Sequence, residues 1–153
     1  MDRASLKRAG LSCINFNLRK AARAVTAIYD RSLAPVGITS TQFSIMIALA
    51  YYPEHSMSAL SKFLVMDRTT LTKNLKPLMR EKLIEPAAGE DRRQRLLKLS
   101  RKGLAVLDKA YPLWTAAQQQ VSDVLGQDQM HGLYRTLHKV SSQLNESELV
   151  LKN

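Results

Sequence analysis

The stretch SMSALSKFLVMDRTTLTKNLKPLMREKL, residues 56–83, decides the fold. Ser56 is a good N-cap, and Leu60, Phe63 and Leu64 follow at i, i+3 and i+4, which predicts a short helix over about 57–64. Val65-Met66-Asp67 makes a tight connection, and Asp67 can cap a second helix over about 68–82. At 100° per residue, Leu71, Leu75, Leu78 and Met79 fall within roughly a 100° arc and are expected to bury. Thr69, Lys73, Lys76 and Arg80 fall on the opposite side, flanked by Thr70 and Thr72, and no carboxylate follows until Glu81. Pro77 removes a backbone donor and crowds the carbonyl of Lys73, but it lies late, after the first two turns. Helix, tight turn and helix in this order match a helix-turn-helix unit.

Toward the C-terminus, two short strands are expected at 83–87 and 95–99, where Leu97 and Leu99 alternate. Between them lies the polar tip Ala88-Gly89-Glu90-Asp91-Arg92-Arg93. Ser100 can cap a helix over 101–125 with the stripe Leu104, Leu107, Tyr111, Trp114, Val121 and Leu125, interrupted by Gln118. Pro112 is expected to bend it. A last helix from about Asp128 carries Met130, Leu133, Leu137, Val140 and Leu144, and the tail after Asn145 looks weakly ordered.

Toward the N-terminus, Ile14, Leu18, Ala21, Val25 and Ile28 form one stripe of a long helix over 5–34, with Arg19, Lys20, Arg23 and Arg31 largely off it. Ala34-Pro35-Val36-Gly37 breaks it. Thr39-Ser40-Thr41-Gln42 has the form of a capping box, and Phe43, Met46, Ile47 and Ala50 give the expected buried face of the next helix. The predicted fold class is mainly α with a small β-wing of two or three strands. It divides into an N-terminal helix (1–38), a winged helix-turn-helix (39–103) and C-terminal helices (104–153). Long striped helices on both sides of a small unit call for a cover, and a second copy of the chain is the cheapest one.

The chain of 153 residues is 45% hydrophobic, only 6% aromatic, and carries a formal net charge of +10. Such a charge draws polyanions: DNA, RNA or an anionic membrane. No run approaches a membrane span and no secretory signal follows the basic start, so a cytoplasmic protein without membrane attachment is expected. The single cysteine, Cys13, cannot form an internal disulfide.

The charge distribution favours double-stranded DNA. Lys and Arg donate to guanine acceptors or phosphates, Thr hydroxyls serve either partner, and Thr methyls meet thymine methyls. Arg68, Thr69, Thr70, Thr72, Lys73 and Lys76 are the expected major-groove residues. Arg92, Arg93 and Arg95 give a basic tip suited to the adjacent minor groove, with Asp91 pairing a neighbouring arginine. The plain alternatives are an ordinary solvated helix face and an ordinary charged turn. An RNA-binding adaptor is disfavoured because the exposed face has no aromatic residue to stack on bases. A winged-helix module that binds protein stays open.

The run 56–103 resembles the MarR (multiple-antibiotic-resistance repressor) family. Ser58–Leu64 looks like the first helix of its motif, Asp67–Thr72 like the start of its recognition helix, and Asp91-x-Arg93-x-x-x-Leu97-x-Leu99-Ser100-x-x-Gly103 like its wing signature. The resemblance implies a homodimeric repressor on a pseudo-palindromic operator, released by a small ligand, often an aromatic or phenolic acid, or by cysteine oxidation. It places the minor-groove arginine at Arg93 and the acidic residue that orients it at Asp91. Lys82 departs from the family's common glycine, so that junction is expected to do without a free positive-φ position. Ser100 replaces the usual threonine.

Cys13 is the candidate for a redox-sensing repressor. The reactive cysteine of peroxide-sensing relatives aligns with Asn15, which favours a buried or half-buried structural role for Cys13. His131 and His138, seven apart, lack a third firm ligand with Asp128, so no metal and no cofactor are expected. Tyr111 and Trp114 could line an effector pocket, but their stripe position favours core or dimer packing; the pocket residues stay unassigned. No catalytic signature stands out, and the chain is not expected to be an enzyme.

Overall fold

The computed structural model describes the backbone of residues 2–52, 55–88 and 95–150, with the side chains of all of these except 55, 88, 95 and 145–150. Helix α1 (Arg3–Ser12) is capped by Asp2, whose carboxylate accepts from the Ser5 amide at 2.6 Å. Helix α2 (Ile14–Leu33) follows after one extended residue, Cys13, at φ −69° and ψ 111°. The single helix expected over 5–34 is therefore broken. The local residues explain the break, because Ser and Asn side chains compete for backbone groups. Ser12 Oγ donates to the Arg8 carbonyl at 2.6 Å, and Asn17 Nδ2 donates to the Leu11 and Cys13 carbonyls at 3.0 and 2.9 Å.

A 3-10 turn with Pro35 and a left-handed Gly37 (φ 73°) lead to α3 (Ser40–Tyr51). The expected capping box is formed: Gln42 donates its amide to Thr39 Oγ1 at 3.2 Å, and the Thr39 amide donates to Gln42 Oε1 at 3.0 Å. The buried face of α3 is Phe43, Ile45, Met46, Ala48 and Leu49, whereas Ile47 and Ala50 are exposed. Residues 43–50 are apolar except for Ser44, so periodicity could not choose the inner face.

Strand β1 (His55–Ser56) precedes α4 (Met57–Phe63) and α5 (Arg68–Arg80). Strands β2 (Ile84–Ala88) and β3 (Arg95–Leu99) form an antiparallel pair, and β1 adds to β3, giving the order β1-β3-β2. Register pairs Ile84 with Leu99 and Pro86 with Leu97, and His55 with Leu97. Two-residue β1 has no alternation to read, and its pairing is purely backbone. Leu33, Ile45, Met46, Leu49, Leu60, Leu71 and Leu78 are the most deeply buried large side chains. The core therefore lies where α3, α4, α5 and the sheet meet. Met79, expected to bury, is 44% exposed, and Phe63 is exposed at the end of α4.

Ser100 caps α6 (Arg101–Leu125), as expected, and its hydroxyl also donates to the Lys82 carbonyl at 2.6 Å. Gly103 is required by close approach: a Cβ there would stand 2.0 Å from the Leu83 carbonyl oxygen. Along α6 the buried positions are Gly103, Ala110 and Ala117, while Leu104 and Tyr111 of the expected stripe are exposed. Small residues at heptad spacing let α2 lie close against α6. There Ser32 Oγ donates to the Leu113 carbonyl at 2.6 Å, and Tyr29 donates to Gln118. Gln118 in turn donates to Tyr134 of α7 (Gln127–Val150), so the residue that interrupts the stripe ties three helices together. Burial, and then the neighbouring Tyr134, raise the Tyr29 pKa above its ordinary value.

The stripes at both ends of the chain remain open to solvent. Ile14, Phe16, Leu18 and Val25 of α2 are exposed, as are Leu133, Leu137 and Leu144 of α7. The helix of α7 continues past Asn145. Among the described residues, no single helix is long and apolar enough to cross a membrane.

Candidate nucleic-acid interface

The interface is built on α5. Asp67 fixes where the helix starts, its carboxylate accepting from the Thr70 amide at 2.8 Å and from the Thr70 hydroxyl at 2.6 Å. The Thr70 hydroxyl, then its amide, hold the Asp67 pKa below the ordinary carboxylate value. Leu71, Leu75 and Leu78 anchor the inner face. Arg68, Thr69, Thr70, Thr72, Lys73 and Lys76, the six helix residues named from sequence, are all exposed on α5.

Their chemistry differs in detail. The Thr70 hydroxyl donates to Asp67 and the Thr72 hydroxyl donates to the Arg68 carbonyl at 2.7 Å, so both protons are engaged within the helix. Both hydroxyls can still accept. The ion pairs among the described residues are Arg80 with Glu81 at 3.3 Å and Lys98 with Glu85 at 3.5 Å. The first is at the far end of α5 and the second spans β2 and β3. Neither draws on Arg68, Lys73 or Lys76.

Both helices of the helix-turn-helix unit end in a feature that sequence reasoning missed. After α4, the Val65 amide donates to the Lys62 carbonyl at 3.3 Å and the Met66 amide to the Ser61 carbonyl at 2.9 Å. After α5, the Lys82 amide donates to Met79 at 3.0 Å and the Leu83 amide to Leu78 at 2.8 Å. These are paired Schellman turns, which place the residue after the cap in the left-handed region and usually put glycine there. Here it is Val65 at φ 49° and Lys82 at φ 56°. The expectation that the Lys82 junction does without positive φ is thus overturned: lysine itself adopts the conformation. The family's glycine at that place was the available signal.

Strands β2 and β3 are the described part of the wing. Asp91, Arg92 and Arg93 lie outside the described residues, and Arg95 is described only as the first residue of β3. Cys13 is exposed rather than buried or half-buried, and its Sγ accepts from the Phe16 amide at 3.5 Å as the cap of α2. His131 and His138 are exposed on α7, and among the described residues no three His, Cys, Asp or Glu side chains cluster as metal ligands.

A groove of about 520 Å³ opens between α3, α4 and α6. Its walls include Ile47, Tyr51, Phe63, Tyr111 and Trp114. Trp114 stacks on Phe43 at a centroid distance of 6.1 Å and on Tyr111 at 5.7 Å. An adjoining groove of about 320 Å³ shares Phe43, Ser44 and Trp114 and reaches Tyr29 and Met66. Among the described lining side chains, the polar groups are the hydroxyls of Ser44, Tyr51 and Tyr111 and the indole N–H of Trp114, and none is charged.

Residues 36–94 match the model of the MarR family. The DNA-bound transcriptional regulator MosR of M. tuberculosis is 33% identical, with 92% of this chain and 99% of that one covered and a TM-score of 0.73. The chain belongs to the MarR family. Its members here are winged-helix, DNA-binding transcriptional regulators. The repressor CouR, solved on a 23-mer DNA duplex, is 26% identical, with 88% and 96% of the two chains covered and a TM-score of 0.78. CouR bound to p-coumaroyl-CoA matches at 22% identity over 88% and 96% with a TM-score of 0.79, a likeness of fold. No curated protein matches the chain. In a winged-helix fold of this kind, α4 and α5 form the helix-turn-helix pair and strands β2 and β3 belong to the wing.

Proposed function

We propose that the chain is a homodimeric repressor that binds a pseudo-palindromic operator and leaves it when a small ligand binds. The observation that carries this reading is the exposed Arg68–Lys76 face of α5, held by buried leucines and free of the ion pairs seen elsewhere. In this reading residues 39–103 bind DNA, and 1–38 and 104–153 make the dimer. The apolar side chains left open on α2 and α7 support that division, because an obligate partner would bury them. Arg68, Thr69, Thr70, Thr72, Lys73 and Lys76 face the major groove. Arg92, Arg93 and Arg95 serve the minor groove, with Asp91 orienting an arginine. Two recognition helices then stand roughly 34 Å apart, one duplex turn.

The effector site in this reading is the aromatic groove at Trp114 and Tyr111, whose flat apolar walls suit an aromatic ring. CouR's p-coumaroyl-CoA supports an aromatic ligand class. The role is regulatory and not enzymatic, and the protein acts in the cytoplasm where its DNA is. The test joins sedimentation with gel shift on the intergenic DNA upstream of the protein's own gene, in excess nonspecific competitor. A dimer that shifts this DNA, and an Arg93→Ala variant weakened by at least about 1 kcal/mol, are expected. A monomer, or binding erased by competitor, would overturn the reading.

A further inference from the structure

We infer that Val65 is a specificity-determining residue, its isopropyl group meeting the C5-methyl of a thymine at the edge of each operator half-site. The inference rests on α5 being the DNA reader. Three observations lead to it. Val65 holds φ 49°, a conformation in which an L-residue is unfavourable and a β-branched one is a true outlier. Glycine or asparagine would relieve it while keeping both Schellman hydrogen bonds, which are made by backbone groups.

The fold gains little from the side chain that imposes this strain. Val65 is 57% exposed, while its neighbours Leu64 and Met66 pack against the core. It lines neither of the two grooves beside Trp114. The two Schellman hydrogen bonds hold the turn, so a strained apolar residue left in solvent there points to a use of its side chain outside the free monomer.

Its position says where. Val65 lies two residues before the Asp67 cap and three before Arg68, the first residue of α5. At 3.8 Å per Cα step, it stands within about 11 Å of Arg68. A duplex that accepts the first turn of α5 in its major groove has the preceding turn beside it, and the proposal places the exposed Val65 side chain against that duplex. The thymine methyl is the apolar feature of that groove. Thr69, Thr70 and Thr72 offer single methyls, and Val65 is the exposed aliphatic side chain beside them.

The test uses the full chain and a palindromic duplex selected by the wild-type protein from random sequence. Each thymine of the half-sites is replaced in turn by deoxyuridine, which deletes only the methyl. Affinity is read by fluorescence anisotropy for wild type, Val65→Ala, Val65→Gly and Lys73→Ala. At one thymine per half-site, the wild type is expected to lose about fourfold per half-site on deoxyuridine, the scale of one buried methyl-sized group. Val65→Ala and Val65→Gly bind the thymine duplex correspondingly more weakly and lose nothing further on deoxyuridine. Val65→Gly also melts higher than the wild type, which separates a lost contact from a damaged turn.

The inference is overturned if the Val65 variants bind as the wild type does. It is equally overturned if they lose affinity by a factor that is the same on thymine and deoxyuridine at every position. Lys73→Ala separates the levels. If it weakens binding while the Val65 variants do not, the Val65 contact alone fails. If none of the three changes binding, the reading of α5 as the DNA reader fails with it.

Discussion

Replacing Lys82 with glycine should make this protein more stable, against the usual direction of surface glycine substitutions. Lys82 sits at φ 56° with an exposed side chain, and its hydrogen bonds run through the backbone. The left-handed conformation costs an L-residue about 1–2 kcal/mol. Glycine removes that cost but leaves the unfolded chain freer by about 0.5–1 kcal/mol. The net gain is therefore about 0.5–1 kcal/mol, or a rise in Tm of roughly 1–4 °C for a chain of this size. Lys82→Ala is the control: it removes the same charge from a +10 chain yet keeps the Cβ that makes the strain. Melting of the three proteins at one fixed concentration is the assay, because dissociation of a dimer would make Tm concentration-dependent. A glycine variant that melts no higher than the alanine variant would refute the strain argument. So would a gain matched by alanine, which would point to relieved charge repulsion instead.

Gly103→Ala should be among the most damaging single changes, costing at least about 2–3 kcal/mol, because its Cβ would meet the Leu83 backbone oxygen at 2.0 Å; a melting curve like the wild type's would contradict this. Lys73→Ala should lower the slope of log K against log salt by about 0.9 per half-site if the ammonium neutralises a phosphate, and a weakened complex with an unchanged slope would assign Lys73 to a base instead. The Asp67 cap should show in acid. Its folded pKa lies below the ordinary value of 3.8, so its stabilisation is fully present above that value and is lost as pH falls through the folded one. The Tm difference between wild type and Asp67→Ala should narrow over that window, and a difference constant to the lowest pH would exclude the ionised cap.

Local chemistry was legible in the sequence where a side chain announces a boundary. Ser56, Asp67 and Ser100 each accept the amide three residues on, and the Thr39–Gln42 box closes as its residues suggest. The helix over 101–125 starts at the Ser100 cap, as its sequence suggests. What was not legible depends on tertiary neighbours or on backbone alone. Strand β1 exists only because β3 lies beside it. Leu104 and Tyr111 satisfied a heptad stripe, yet the closeness of α2 selects Ala110 and Ala117 for the inner face. Cys13 ends one helix and caps another because Ser12 and Asn17 take up carbonyls around it, an effect that apolar periodicity does not register. On α5, the leucines fixed the inner face correctly while Met79, at the edge of the arc, stays in solvent.

The two faces of α5 divide its work. Leu71, Leu75 and Leu78 hold the helix in the core, Asp67 sets its first residue, and the Lys82 turn sets its last. None of these groups belongs to the Thr69–Lys73–Lys76 surface, and that surface makes no ion pair among those seen in the fold. The outer face can therefore change without moving the helix, since exposed substitutions away from caps and cores alter stability by only about 0.5 kcal/mol. The left-handed turns stand apart from that freedom. Val65 and Lys82 occupy equivalent places after successive helices, both strained and both exposed, but one side chain is apolar and precedes the first turn of α5. The other is a cation at the opposite end, beside the Ser100 cap. Strain alone does not distinguish them; polarity and distance from the first turn of α5 do, and in the proposed complex they make Val65 the one whose side chain has a partner within reach.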